Sequence, residues 1–204
     1  MDHFYKTLPG LCTFEDYYAW VANEAARTLA VHGRGESWYG VEIGVFGGQS
    51  VAFLATELIN LGVDASVKID LVDEFTHPQA QIGDVIARLE PVRSVIGGAH
   101  RGCSWKQAIH YKDQSLDFVF IDTEHTLETT RKEIAAFLPK MKIGGIMGGH
   151  DFSIHFPGVI RAVTENFPKY DIWRGRNDHE DSFLDGKYMP CWSAYVTEQI
   201  HPQY

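Results

Sequence analysis

The chain has 204 residues, 45% hydrophobic and 22% charged, which suits a single soluble globular domain with a sizeable core. A net charge of −9 without a compensating basic run argues against broad phosphate-backbone binding, so the expected partner is a small molecule and not nucleic acid. Apolar runs are no longer than strands, which excludes a membrane-spanning helix, and three widely spaced cysteines (Cys12, Cys103, Cys191) fit reduced thiols in a cytoplasmic setting. The start, Met1-Asp2-His3-Phe4-Tyr5-Lys6, has no basic stretch followed by an apolar core, so no secretory leader is expected.

The first predicted helix covers 14–29, with Tyr17, Trp20, Val21, Ala25 and Leu29 at helical spacing behind Thr13 as N-cap. It stops at His32-Gly33-Arg34-Gly35. Strands and helices then alternate. A buried strand at 39–45 precedes a helix at 50–61, and a strand at 66–72 precedes a helix at 80–89 closed by Pro91. A short strand is expected at 93–96, then a helix opened by a Ser104/Gln107 capping box. The apolar run 116–121 reads as a parallel strand covered on both faces. A helix at 126–138, a strand at 144–147, a helix at 158–167 and strands at 170–173 and 192–197 complete the order. The expected fold is α/β: a Rossmann-like, doubly wound, mostly parallel seven-stranded sheet with helices on both faces. Residues 1–204 form one domain in this reading: 37–204 is the core, and 1–36 is a helical extension serving as lid, homodimer contact or packing helix. Ligands of such a sheet lie at the carboxyl ends of its strands.

The first strand runs into Val41-Glu42-Ile43-Gly44-Val45-Phe46-Gly47-Gly48-Gln49-Ser50. Glycines permit positive φ and close ligand approach, and the next helix offers free N–H groups. The GxGxxG fingerprint of dinucleotide binding lacks its second glycine here. The pattern Glu42-x-Gly44-x-x-x-Gly48-x-Ser50 instead resembles motif I of class I methyltransferases. That resemblance implies S-adenosyl-L-methionine as cofactor, with Glu42 near its ammonium group; the alternative is a glycine-rich turn over a satisfied, buried Glu42. The second strand ends Asp70-Leu71-Val72-Asp73, where Asp73 is the better candidate for the ribose hydroxyls. Ser104 follows in Gly102-Cys103-Ser104, where Cys103 replaces the acid that this family sets beside adenine; Ser104 is either a cofactor contact or only a helix cap.

Asp117-Phe118-Val119-Phe120-Ile121-Asp122-Thr123-Glu124-His125, followed by Gly144-Gly145-Ile146-Met147-Gly148-Gly149-His150-Asp151-Phe152, carries the most specific signal. An apolar strand ending in Asp-x-x-His, then a short strand ending in His-Asp, puts polar groups at one sheet edge. Here the chain resembles the methyltransferase domain 24 family, which includes macrolide-sugar O-methyltransferases, over residues 39–167. The resemblance implies that Asp122, His150 and Asp151 hold a divalent metal, magnesium or manganese, and that His125 is the general base, with Asp122 at the catalytic centre. His150 in the first coordination sphere favours manganese, iron or zinc over magnesium; its alternatives are the methionine carboxylate or the substrate. An alcohol needs such help, because it is a poor nucleophile until its proton is removed or its pKa lowered. The expected activity is metal-assisted O-methylation of a small hydroxylated substrate such as a sugar. The rivals are an NAD(P)-dependent oxidoreductase, a metal-dependent hydrolase and a non-catalytic cofactor-binding protein. Weaker candidates are His155, and Arg174, Arg176, His179, Tyr188 and Trp192 in or beside the polar stretch 174–190.

Overall fold

A computed structural model describes residues 1–10, 12–33, 35–174 and 189–197. Their elements are α1 (Glu15–His32), β1 (Trp38–Ile43), α2 (Gln49–Asn60), β2 (Val67–Asp73), α3 (Ile82–Arg88) and β3 (Ile96–Arg101). There follow β4 (Leu116–Ile121), α4 (Leu127–Phe137), β5 (Met141–Gly149), α5 (Pro157–Asn166), β6 (Asp171–Trp173) and β7 (Cys191–Tyr195). The strands form one seven-stranded sheet in the order β3-β2-β1-β4-β5-β7-β6. β1 to β5 pair in parallel, and β7 lies antiparallel to both β5 and β6. No helix of the described residues is long and apolar enough to cross a membrane.

Successive strand residues face opposite sides of the sheet, and each side has its own core. Phe118 and Phe120 of β4 join Ile69 and Leu71 of β2 under α1 and α2. Val119 and Ile121 join Val41, Ile43 and Met147 under α4 and α5. All six residues of β4 are buried, as a central parallel strand requires.

Helix α1 belongs to this packing. The rings of Phe14, Tyr17 and Tyr18 lie 5.2, 5.6 and 5.0 Å from that of Phe120. Burying an aromatic side chain is worth about 1.5–3 kcal/mol, so three of them make α1 a fixed layer. The aromatic face that suggested a lid or a dimer contact is spent on the sheet.

Several local expectations are corrected. Thr13 does not cap α1; Phe14 holds that position, and the Thr13 hydroxyl is buried without a hydrogen-bond partner among the described residues. The strand expected at 93–96 begins only at Ile96, because Glu90–Val92 turn as a 3-10 helix. Its sequence, Ile-Gly-Gly-Ala-His-Arg, has no apolar alternation to reveal it. Ser104–His110 is a 3-10 helix without a capping box, since the Ser104 hydroxyl donates to Glu133 instead. Asp70, by contrast, lies inside β2 as its place before the apolar Leu71-Val72 pair suggests, and there its carboxylate accepts hydrogen bonds from Tyr39 Oη and Tyr111 Oη.

Candidate active site

The parallel strands end in register. Ile43 is level with Val72 and with Ile121, and Ile121 with Gly149. The ladder runs one step further: Gly44 N donates to Val72 O at 2.8 Å, Asp122 N to Ile43 O at 2.8 Å, and His150 N to Ile121 O at 3.0 Å. That step lines up Gly44, Asp122 and His150 at the carboxyl edge, where the strand order reverses between β1 and β4. This is where an α/β sheet opens a crevice.

The crevice has two lobes that share Gly44, Phe46 and Asp122. The larger, about 590 Å³, is also lined by Gly10, Gln49, Ser50, His150, Asp151, Phe156 and Met189. The smaller, about 300 Å³, is also lined by Asp73, His77, Cys103, Ser104, Trp105 and Thr123. The N-terminal arm walls the larger lobe: Gln49 accepts from Cys12 N at 2.5 Å and donates to Leu8 O at 3.1 Å. A separate cavity of about 410 Å³, lined by Trp38, Asp117 and Lys142, opens at the amino ends of the strands, away from these groups.

Gly44 has φ +90°, and a Cβ there would stand 1.7 Å from the carbonyl oxygen of Asp122. Its missing side chain therefore lets β1 and β4 close together and fixes Asp122. Gly48, expected at the cofactor, lines neither lobe. It takes the left-handed N-cap of α2 with φ +88°, and its empty side faces Val85 and Leu89. Glu42 lies one layer below the crevice, 1% exposed, with its carboxylate accepting from Tyr18 Oη at 2.8 Å and from Ser50 Oγ. Burial pushes its pKa up to about 7, against the pull of the Ser50 and Tyr18 hydrogen bonds. It holds Ser50, which does line the larger lobe, whereas Glu42 itself lines neither lobe. Asp73 lines the smaller lobe and accepts from Phe46 N at 3.0 Å and Phe75 N at 2.7 Å, tying together the turns after β1 and β2.

Asp122 and Asp151, which line the larger lobe, and His125, which lines neither lobe, present one ligand atom each within 4.8 Å of one another. His125 Nε2 lies 3.0 Å from Asp122 Oδ1 and 2.8 Å from Asp151 Oδ2. His150 Nδ1 is 3.0 Å from Asp151 Oδ2 and 3.7 Å from Asp122 Oδ1. Both histidines thus reach both carboxylates, His125 within hydrogen-bond distance of each and His150 only of Asp151. His125 and Asp151 both have φ near +60° (60° and 59°), a conformation costing a non-glycine residue about 1 kcal/mol or more. Burial alone would lower the pKa of His125, but hydrogen bonds to Asp122 and Asp151, with their charges, push it up to about 10. The pKa of His150 is also raised, the charge of Asp122 and the Asp151 hydrogen bond outweighing burial. Burial would raise that of Asp151, yet its two histidine partners hold it well below the carboxylate range. His150 Nε2 is buried and has no hydrogen-bond partner among the described residues.

Trp192 is buried in the core beside Phe167 and is no substrate contact. His155 is exposed and lines neither lobe. Arg176, His179 and Tyr188 lie outside the described residues. The sequence reading missed Phe46, Gln49, Phe156 and Met189 in the larger lobe, and Tyr18 and Glu133 behind the crevice. Thr123, in the smaller lobe, was missed as well; Gln49 stands next to Ser50 and Thr123 next to Asp122, so those two had a local signal, whereas Tyr18 and Glu133 had none.

Residues 41–152 match the family model described as a methyltransferase domain. None of the curated proteins matches the chain. Among solved structures, the chain is similar to an O-methyltransferase from Bacillus cereus in complex with SAH, at 15% identity and TM-score 0.62, covering 94% of this chain and 86% of that one. It is also similar to a SAM-dependent O-methyltransferase from Thermotoga maritima, at 14% identity and TM-score 0.57, covering 88% of this chain and 66% of that one. A third, the CurJ carbon methyltransferase, has 9% identity and TM-score 0.64, with 89% of this chain and 54% of that one covered. The chain therefore spans just under two thirds of the Thermotoga enzyme's length and about half of CurJ's.

Proposed function

Because the chain belongs to the methyltransferase-domain family, we propose that it methylates a hydroxyl of a small molecule, such as a sugar, with S-adenosyl-L-methionine as donor and a divalent metal as helper. The observation that carries this reading is the Asp122–His125–Asp151 group, whose two carboxylates line a crevice across the strand ends.

The crevice suits the cofactor. Its smaller lobe offers Asp73 and hydroxyl oxygens to a ribose and a base, and its larger lobe offers Ser50 to a charged amino-acid portion. Phe46 stands where a dinucleotide fold needs a glycine for pyrophosphate, and its side chain lines both lobes, which disfavours hydride transfer. The sulfonium cofactor supplies an electrophilic methyl group. The chain's task is to hold the acceptor oxygen in line with it and to keep water out.

The donor set also suits a metal. Two carboxylates and an imidazole within 4.8 Å fit manganese, iron or zinc better than magnesium, which prefers oxygen ligands alone. Asp122, Asp151 and His125 would hold it, with His150 supporting Asp151. A bound cation supplies Lewis acidity that lowers the pKa of an acceptor hydroxyl. With the carboxylates uncompensated, His125 keeps its proton at neutral pH, and with Nε2 on the metal it has no lone pair there for an acceptor's proton, so in this reading His125 is a ligand and not the general base. A cytoplasmic setting is part of the same reading, since all three cysteines are free thiols.

The test is calorimetric titration of S-adenosylhomocysteine with and without manganese, then turnover of a panel of hydroxylated acceptors by wild type and Asp122→Asn. Expected are cofactor binding, metal-stimulated turnover, and loss of that turnover in the variant with most cofactor affinity kept. Tight NAD(P) binding without S-adenosylhomocysteine binding would overturn the donor assignment. Full wild-type rates in EDTA would overturn the metal.

A further inference from the structure

We infer that Glu133 is a positioning residue for base selection: it turns two hydroxyls of the smaller lobe into acceptors, so that the lobe takes a purine bearing an exocyclic amine. This rests on the proposal that the adenosyl portion occupies that lobe.

Glu133 sits on α4, 0% exposed, and lines neither lobe. Its carboxylate accepts from Ser104 Oγ at 2.5 Å and from Thr123 Oγ1 at 2.8 and 3.0 Å. Both hydroxyl residues line the smaller lobe. A hydroxyl has one proton and two lone pairs, and a carboxylate can only accept. With both protons drawn back toward Glu133, Ser104 and Thr123 have only lone pairs left for the lobe.

Those lone pairs suit the N6 amine of adenine, which donates. They repel the O6 carbonyl of hypoxanthine, which accepts at the same place. The arrangement also answers a gap in the sequence. Cys103, a weak acceptor, stands where the family resemblance puts an acid beside adenine, and Glu133 supplies an acid one layer back through Ser104. Burial pushes the pKa of Glu133 up to about 7, against the hydrogen bonds of Ser104 and Thr123. It is therefore a carboxylate at the mildly alkaline pH of the assay below.

The experiment is calorimetry at about pH 8.5 with S-adenosylhomocysteine and S-inosylhomocysteine, on wild type, Glu133→Gln and Ser104→Ala. Wild type is expected to prefer the adenosyl compound by about tenfold or more, the scale of one mismatched hydrogen bond. In Glu133→Gln the amide can donate to one hydroxyl and free its proton toward the lobe, so the preference should shrink to about threefold or less. Ser104→Ala removes one acceptor while leaving Glu133 in place, and it should narrow the preference similarly even if Glu133→Gln proves unstable. A merely structural strut would weaken both compounds equally and leave their ratio unchanged; that result in Ser104→Ala overturns the inference. Wild type that binds the adenosyl compound without base preference overturns it too, and leaves the proposed function standing. No binding of S-adenosylhomocysteine at all overturns the proposed function and this inference together.

Discussion

Replacing Gly44 by alanine tests whether the closeness of β1 and β4 builds the site. The new Cβ would stand 1.7 Å from the Asp122 carbonyl oxygen and 2.5 Å from its carbon, where real Cβ contacts stay beyond 3.0 Å. The obstacle is backbone, so one strand end has to move by more than 1 Å. Positive φ at a non-glycine residue adds about 1–2 kcal/mol, and forced repacking of a tight core adds about 1–3 kcal/mol. The sum, about 2–5 kcal/mol, leaves a folded protein given a typical stability of about 5–15 kcal/mol. For a chain of this size it lowers Tm by about 5–15 °C. Gly48→Ala is the matched control: φ is +88°, but its Cβ would meet only the side chains of Val85 and Leu89, at 3.4 and 3.5 Å. That variant should lose only the conformational part, about 1–2 kcal/mol. The assay is thermal and urea unfolding of both variants, with manganese titrated into each. Gly44→Ala should also bind the metal about tenfold or more weakly, because Asp122 is displaced, whereas Gly48→Ala should not. Equal stability loss and equal metal affinity in the two variants would refute the reasoning.

Two other outcomes follow from the buried charges. In metal-free protein, His125 is raised from its ordinary 6.5 to about 10, so between those values the folded state keeps a proton that the unfolded chain has released. Stability from this group is full below pH 6.5 and falls as pH rises toward 10; urea unfolding should show that decline flattened in His125→Gln, and parallel curves would argue against it. Tyr18→Phe removes a hydrogen bond to the buried Glu42 carboxylate and should cost about 1–3 kcal/mol, read as a Tm lower by about 3–10 °C. Since Glu42 lines neither lobe, S-adenosylhomocysteine affinity should stay within about threefold; a loss of affinity at unchanged Tm would show that Glu42 faces the ligand.

The continuous apolar run of β4 defines its own limits, 116–121, because burial on both faces is written in consecutive residues. The sequence likewise determined the alternation of strands and helices and the gathering of Asp122, His125, His150 and Asp151 at one edge. These residues directly follow strands whose parallel pairing puts their ends together. Tertiary structure decided what the side chains do there. His125 as well as His150 reaches both carboxylates, and His125 and Asp151 take left-handed backbone there, a conformation no residue pattern encodes. Glu42 is held by Tyr18, 24 residues away on α1, and the Ser104 hydroxyl is drawn to Glu133, 29 residues away on α4, instead of capping its helix. Local periodicity reports which residues are buried; which buried polar groups find each other depends on distant chain segments, and only folding brings those together.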